Sequence, residues 1–483
     1  MFTHQADGPK PRPSLVRRGA GCGILSLALA AQLAMPIAGS LAAQDAHYWT
    51  EQYGTSAHLL GGLVVGSTQD LSTVYYNPGG LALLENPSAL FAVDAFQYDW
   101  IRVEGERDQG LLLEGSRFDP TGGMVAVALP GRWVRGQRVA LSLLTRRRLR
   151  TTLQGTVFQP ALPEGSTEVG QAASKLVDQD YREHWVGLTW ATSFGEGWGV
   201  GVSTQGAVRS QRQNEQGDDS RFSNAGEPAA VSNRINFDYW HLRLLWKLGL
   251  RYESATWGLG LTTTTPSIGV YGSGRALRND AHTGDVEVLF PGLQPRVAAG
   301  ADDELGPSVS SSWAVAGGGH FMLGTRTTVH LSAEWFAPVD EQVVLELPAF
   351  ASQVPGDTVT TRILHDLESV LNAGVGFEHE LRSDLTLFGS FFTDFSGMPP
   401  RDAEFRTEFA SWDLYHVTGG VDFDFLGSNF TLGLQYMRGE EALTGDFIPA
   451  PIPGVEPTDP EEQAVRYNRV KILLGFSLDL LQD

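Results

Sequence analysis

Apolar and polar residues alternate with period two in block after block of this chain. In Asn429–Tyr436, Phe430, Leu432, Leu434 and Tyr436 fall on one face, and Asn429, Thr431, Gly433 and Gln435 on the other. That is the pattern of a strand with one face in apolar surroundings. Trp240, Leu242, Leu244, Trp246, Leu248 and Leu250 alternate in the same way with His241, Arg243, Leu245, Lys247 and Gly249. So do Val470, Ile472, Leu474, Phe476 and Leu478 with Arg469, Lys471, Gly475 and Ser477. The pattern predicts strands at 90–103, 123–129, 137–150, 181–194, 198–212, 236–252, 256–271, 310–323, 327–338, 369–380, 385–395, 415–425, 428–437 and 466–478. That is about fourteen, an even number, as single-chain bacterial membrane barrels have.

Short and long connections alternate. Gly195-Glu196-Gly197, Glu253-Ser254-Ala255, Gly324-Thr325-Arg326, Arg382-Ser383-Asp384 and Leu426-Gly427 are short, whereas 151–180, 213–235, 272–309, 340–368, 396–414 and 438–465 are long. Short periplasmic turns and long external loops are the asymmetry of an outer-membrane barrel. A face of Trp and Leu exposed to water would aggregate, but in lipid it needs no cover provided the strands close on themselves. Trp198, Trp246, Trp257, Trp313 and Trp335 are candidates for interfacial belts or for ordinary packing.

Composition narrows the picture. Lys10, Arg12, Arg17 and Arg18 precede a short apolar run, Ile24–Ala34, and Ser40-Leu41-Ala42-Ala43 offers small residues for cleavage. Residues 1–43 therefore predict a signal peptide. Cys22, the single cysteine, lies before the apolar run, so the mature chain is expected to lack disulfides and thiolate metal sites. Loss of Asp7 and the four basic residues takes the formal charge from −21 to −24. That disfavours nucleic acid as a partner. Mean hydropathy of −0.13 and the lack of another long apolar run exclude a helical membrane protein, but not a barrel.

Between the signal and the first strand lies Asp70-Leu-Ser-Thr-Val-Tyr-Tyr-Asn-Pro-Gly-Gly-Leu81. Asn77-Pro78-Gly79-Gly80 predicts a tight turn, with Pro78 presetting φ and Gly79 taking positive φ as type II requires. The stretch resembles the Asp-x-Ser-x-x-x-Tyr-Asn-Pro-Ala-Gly-Leu pattern in the N-terminal plug, or hatch, of the FadL/TodX family of outer-membrane transporters. Gln52-Tyr53-Gly54-Thr55-Ser56-Ala57, Gly61-Gly62 and Gly66 resemble the family's opening segment, although Gly79 stands where Ala is usual. The chain also ends on Phe476–Asp483 rather than on a terminal aromatic, leaving Phe476 or Leu478 as the assembly signal.

The resemblance implies an all-β transmembrane antiparallel barrel of about fourteen strands. It divides the chain into a signal peptide (1–43), a plug (44–88) and a barrel with long extracellular loops (89–483). It implies passive uptake of hydrophobic small molecules such as long-chain fatty acids or aromatic hydrocarbons, by a non-enzyme in the outer membrane of a Gram-negative-type cell. Tyr75, Tyr76, Asn77, Pro78, Gly79 and Gly80 would plug and gate it. Release would follow a local change in the plug or a kinked strand. The expected partners are the ligand, lipopolysaccharide and other outer-membrane lipids, and the barrel-assembly machinery, with the chain a monomer and no cofactor or metal. A surface or secretion-associated scaffold is the alternative, and an outer-membrane hydrolase a third.

Charged residues add candidates. Strict alternation would point Arg146, Arg148 and Arg150 into the lumen and Arg147 outward. The inward arginines would receive a ligand carboxylate, or form a basic rim for lipopolysaccharide phosphates or acidic loops. Arg243, Lys247, Arg469 and Lys471 share predicted inward faces with Glu334, Glu378, Asp422 and Asp424. Pairing that stiffens the barrel stands beside a ligand site, for which Arg146, Arg148, Arg469 and Lys471 are the candidates. The acidic loop from Glu440 to Glu462 is a solvated loop or a divalent-cation bridge to lipid. No hydrolase elbow, zincin helix or phosphate loop is present. The scattered His184, His241, His320, His330 and His416 leave only a weak enzyme reading.

Overall fold

The computed structural model describes residues 46–85, 89–104, 113–119, 123–130, 137–159, 170–222, 228–290, 292–399, 405–407, 412–425, 428–443 and 463–478. The predicted signal peptide, the Leu426-Gly427 turn and most of the acidic loop lie outside them. The described strands are β1 (Ala89–Glu104), β2 (Leu113–Asp119), β3 (Gly123–Ala128), β4 (Arg138–Gln159), β5 (Gly170–Phe194), β6 (Trp198–Phe222) and β7 (Ala229–Glu253). There follow β8 (Trp257–Thr264), β9 (Ile268–Gly284), β10 (Arg296–Leu305), β11 (Ala314–Leu323), β12 (Thr327–Phe336), β13 (Val339–Ala351) and β14 (Thr358–Leu367). The last are β15 (Val370–Arg382), β16 (Leu385–Asp394), β17 (Phe405–Arg406), β18 (Leu414–Phe425), β19 (Ser428–Leu443) and β20 (Gln463–Leu478).

All but β13, β14 and β17 form one antiparallel sheet that closes on itself. Its seam is β1 against β20, with Ala89 opposite Leu478 and Glu104 opposite Ala464. β2 and β3 both pair with β1, and β8 and β9 both pair with β7. β10 continues beside β9, and β11 beside β8. Each of these couples is one traverse in two parts, so the barrel has fourteen strands, as the alternation predicts. Closure leaves no edge, which lipid surroundings require.

The alternation survives as burial. On β5, Val186 and Leu188 are exposed while Trp185 and Thr189 are buried. Outward Leu, Val and Phe side chains on nearly every strand form the apolar wall, and Phe194, Trp198, Tyr252 and Trp257 make a chain of aromatic contacts at one end. Trp198 and Trp257 thus sit where an interfacial belt needs them.

The long loops are the main correction. β4 has 22 residues, and β5, β6 and β7 have 25 each. About 9–11 residues cross a bilayer, so these strands continue far past the apolar band. Much of 151–180, 213–235 and 272–309 is therefore strand, and 340–368 is largely the β13–β14 hairpin. With β17, which pairs in parallel with β14 through Ile363–Phe405 and Leu364–Arg406, this hairpin forms a separate small sheet.

Candidate functional site

Residues 46–85 are buried almost throughout, and their partners lie on strands from β4 round to β20. The segment turns at Gly54, Gly61 and Gly62, whose φ values of 98°, 63° and 74° suit glycine. Two one-turn helices, Ser56–Leu59 and Thr73–Tyr76, and a 3-10 helix, Pro78–Leu83, give it shape. Asp70 ties these pieces together by accepting from the backbone and hydroxyl of both Thr55 and Ser72.

The Asn77–Gly80 tetrad is not the type II turn that its composition predicts. Asn77 caps the 3-10 helix, its Oδ1 accepting from the Gly79 N–H at 3.1 Å, with Pro78 at the first helical position. The glycine is needed for a different reason. A Cβ on Gly79 would lie 2.7 Å from Gly199 O and 2.8 Å from Gly249 O on the barrel wall. The wall is bare in turn: a Cβ on Gly201 would meet Pro78 O at 2.4 Å, and one on Gly260 would meet Val65 O at 2.0 Å. Asn77 Nδ2 bridges the segment and wall by donating to Val65 O at 2.8 Å and Leu250 O at 3.0 Å. Tyr76 Oη donates to Gln52 Oε1 and accepts from Tyr53 N. Tyr75 packs edge-on to Tyr53 and Tyr76.

Charge holds the other end of the segment, which sequence reasoning did not single out. Asp394 on β16 accepts from Tyr48 N and Trp49 N and from Thr50 Oγ1, each at 2.8 Å. Glu334 accepts from Trp49 Nε1 at 2.8 Å. From β20, Lys471 Nζ reaches Glu51 at 2.6 Å and Thr50 O at 3.1 Å, and Arg469 lies between Glu51 and Asp99. Two of the candidate ligand residues, Arg469 and Lys471, are thus engaged with the segment.

The arginine run on β4 departs from strict alternation. The β4–β5 register slips between Thr145 and Arg147, so Arg146 is the extra residue of a bulge. Arg146 and Arg147 are both buried, donating to Tyr48 O and His47 O respectively, whereas Arg150 is exposed and Arg148 half-buried. The bulge reverses parity, and the expectation of Arg147 outward with Arg148 and Arg150 inward fails for that reason. Of the four candidate ligand residues, Arg146, Arg469 and Lys471 bond to His47–Glu51, and Arg148 lines a narrow cavity beside His47 and Thr50.

Beyond the segment lies a charged belt. Glu183 on β5 accepts from Arg243 at 2.5 Å, Trp185 at 2.6 Å, Tyr181 at 3.0 Å and Arg209 at 3.3 Å. Arg146 stacks over Tyr75 and Trp185, and Lys247 over Tyr75. A buried carboxylate needs this many donors. A narrow cavity beside His47, Thr50, Arg147 and Arg469 holds only about 30 Å³. A cavity that takes benzene is nearer ~150 Å³, so this space admits water at most.

On the outer side of the belt the lumen turns apolar. Ile235, Phe237 and Tyr239 of β7 and Ala276 of β9 pack against Val344, Leu345, Leu347 and Ile363 of the hairpin, with Phe350 and Phe405 alongside. The small β13–β14–β17 sheet is fastened by polar contacts: Gln179 and Gln211 donate to Thr407 O at 3.1 and 2.8 Å, and Thr407 Oγ1 lies 2.9 Å from His365 Nδ1. This apolar cluster, like the Glu183 belt, carries no recognisable motif.

The described residues thus form a closed fourteen-strand antiparallel barrel with a folded segment inside it and a packed apolar cluster beyond. The Pseudomonas putida toluene transporter TodX has this fold: it aligns over 90% of this chain and 99% of its own, with a TM-score of 0.53 and 13% identity. A Pseudomonas aeruginosa FadL homologue aligns over 89% and 99%, with a TM-score of 0.55 and 13% identity. The Ralstonia pickettii toluene transporter TbuX aligns over 88% and 98%, with a TM-score of 0.51 and 12% identity. No protein-family model and no curated protein matches the chain in sequence.

Proposed function

We propose that this protein is a passive outer-membrane channel for hydrophobic small molecules, long-chain fatty acids or aromatic hydrocarbons, with residues 46–85 as its plug. The observation that carries this reading is the order of surfaces along the lumen. An apolar cluster under the β13–β14 hairpin stands outermost, a charged belt comes next, and a tightly packed segment fills the rest. An apolar ligand would displace the hairpin side chains, gaining about 25 cal/mol for each Å² of apolar surface it buries. The described cavity beside the plug is too small for it, so movement of the plug would have to accompany passage.

The wall also supports a sideways exit. Among the described residues, β2 meets β4 in the ladder only at Glu114–Gln154, while β3 meets β4 from Met124 to Ala128. The β4 residues left out of that ladder, Thr145–Leu153, lie where the outward side chains pass from apolar to arginine, so a ligand leaving there would emerge at the rim of the apolar band. The fold shared with the toluene transporters TodX and TbuX favours a hydrophobic small molecule as the ligand.

The test is uptake of labelled oleate and toluene by cells lacking the gene and complemented with wild type or with a chain cross-linked across the β2–β4 gap. Uptake restored by wild type and lost on cross-linking supports the reading. Uptake unchanged by deletion, with surface proteins lost instead, would replace it with the scaffold.

A further inference from the structure

The inner segment and the apolar cluster leave unexplained the outer wall where the apolar band ends. Outward positions on β4 to β7 and β9 change character together. Leu143, Val186, Val208, Trp240 and Tyr271 are exposed and apolar or aromatic. A step or two further out, the outward positions become Arg148 and Arg150 on β4, Arg182 on β5, Arg212 on β6 and Arg275 on β9.

Ladder pairing places these residues side by side. Arg148 stands opposite Arg182, Arg150 opposite Asp180, Asp180 opposite Arg212, Arg212 opposite Asp238, and Asp238 opposite Arg275. Asp180 takes a two-pronged bond from Arg182, at 2.6 and 2.9 Å, and Asp238 takes one arginine from each side, at 3.2 and 3.1 Å. With Asp178, three carboxylates face five guanidinium groups, so the belt is net positive in a chain whose formal charge is −21. Its outer arginines are open: the Arg212 and Arg275 side chains are 65% and 64% exposed, while Asp238 beneath them is 26% exposed.

Exposed ion pairs contribute little to stability, so strand stiffening alone does not account for a five-arginine belt directly above an apolar wall. Guanidinium forks match phosphate oxygens two at a time, and strands spaced about 4.8 Å apart spread the forks over roughly 20 Å. We infer that this belt is a binding site for a phosphorylated outer-leaflet lipid. Its phosphates would sit on Arg182, Arg212 and Arg275, and its acyl chains on the wall around Val186, Val208 and Tyr271.

The test uses the full-length protein in detergent with bis-phosphorylated lipid A as the probe. Wild type is expected to bind lipid A and to gain thermal stability from it. Arg182→Gln/Arg212→Gln/Arg275→Gln should bind at least tenfold more weakly and lose most of that gain. Removing the lipid's phosphates should cost wild type a similar factor and cost the variant little. A Lys triple variant, which keeps charge but not the fork, should fall between the two. Heat-modifiable gel mobility checks that each variant folds. Equal affinity of wild type and the Gln variant, equal binding of phosphorylated and dephosphorylated lipid, or full competition by millimolar inorganic phosphate would overturn the inference.

Discussion

The glycines of the inner wall offer the sharpest test of how the proposed plug, residues 46–85, is held. In Gly201→Ala the new methyl would sit 2.4 Å from Pro78 O and 2.5 Å from Pro78 C. In Gly249→Ala it would sit 2.2 Å from Asn77 Oδ1 and 2.9 Å from Gly79 N. Carbon contacts are comfortable at about 3.5–4.0 Å, so something must move by about an ångström. The wall is held on both sides, since Gly201 and Gly249 are paired with each other and lie within continuous β5–β6–β7 ladders. The plug has to give, taking with it the Asn77 bond to Leu250 O.

Overpacking costs about 1–3 kcal/mol, and a lost buried hydrogen bond about 1 kcal/mol more. A destabilisation of the seated plug by about 2–4 kcal/mol raises the displaced population roughly 30- to 700-fold. The assay is conductance of the purified Gly201→Ala/Gly249→Ala protein in planar bilayers, with entry of large antibiotics into cells as a second readout. Gly206→Ala is the matched control, because a Cβ there meets only Val186 O, at 3.8 Å. Conductance and antibiotic entry equal to those of Gly206→Ala would refute the reasoning.

Three further outcomes are expected. A Cβ on Gly475 would lie 3.5 Å from Thr55 Cα, so Thr55→Cys/Gly475→Cys should form a disulfide that blocks uptake until reductant is added; unchanged uptake by the oxidised protein would mean that the plug does not move there. Glu183→Gln leaves Arg209 and Arg243 buried without their carboxylate and should cost about 3–5 kcal/mol, read as a lower temperature of heat modification. His365, on the hairpin, is held well below its ordinary pKa, first by burial and then by Arg209, Arg243 and Arg406. Because the docked form resists protonation, hairpin docking should be fully stable above about pH 6.5 and weaken as pH falls below it. Hydrogen exchange at 363–365, corrected for intrinsic rate, should rise at pH 5 and be unaffected in His365→Gln.

The barrel was legible because lipid enforces the alternation: each predicted strand of 90–478 overlaps an observed one. Legibility stopped where lipid stops. Past the apolar band, β6 presents Gln211, Gln213 and Glu215 inward and Arg212, Asn214 and Gln216 outward, polar on both faces, so its strand extension has no hydrophobic period and resembles a loop. The bulge at Arg146 was equally silent, since one extra residue in a run of arginines changes no composition. At the plug, Tyr75–Gly80 stood out by their residue types. His47–Glu51 did not, because their partners, Asp394, Arg469 and Lys471, are brought in from more than 340 residues away.

That separation bears on assembly. Residues 46–85 are made before every barrel strand, yet their ion pairs with Arg469 and Lys471 wait for β20, the strand that also seals the barrel against β1. Until then Glu51 has neither cation, and the open sheet has two bare edges. The last ion pairs of the inner segment and the closing of the seam therefore depend on the same strand, and a chain halted before β20 would present both an unsealed wall and an incompletely anchored segment to the quality-control proteases of its compartment.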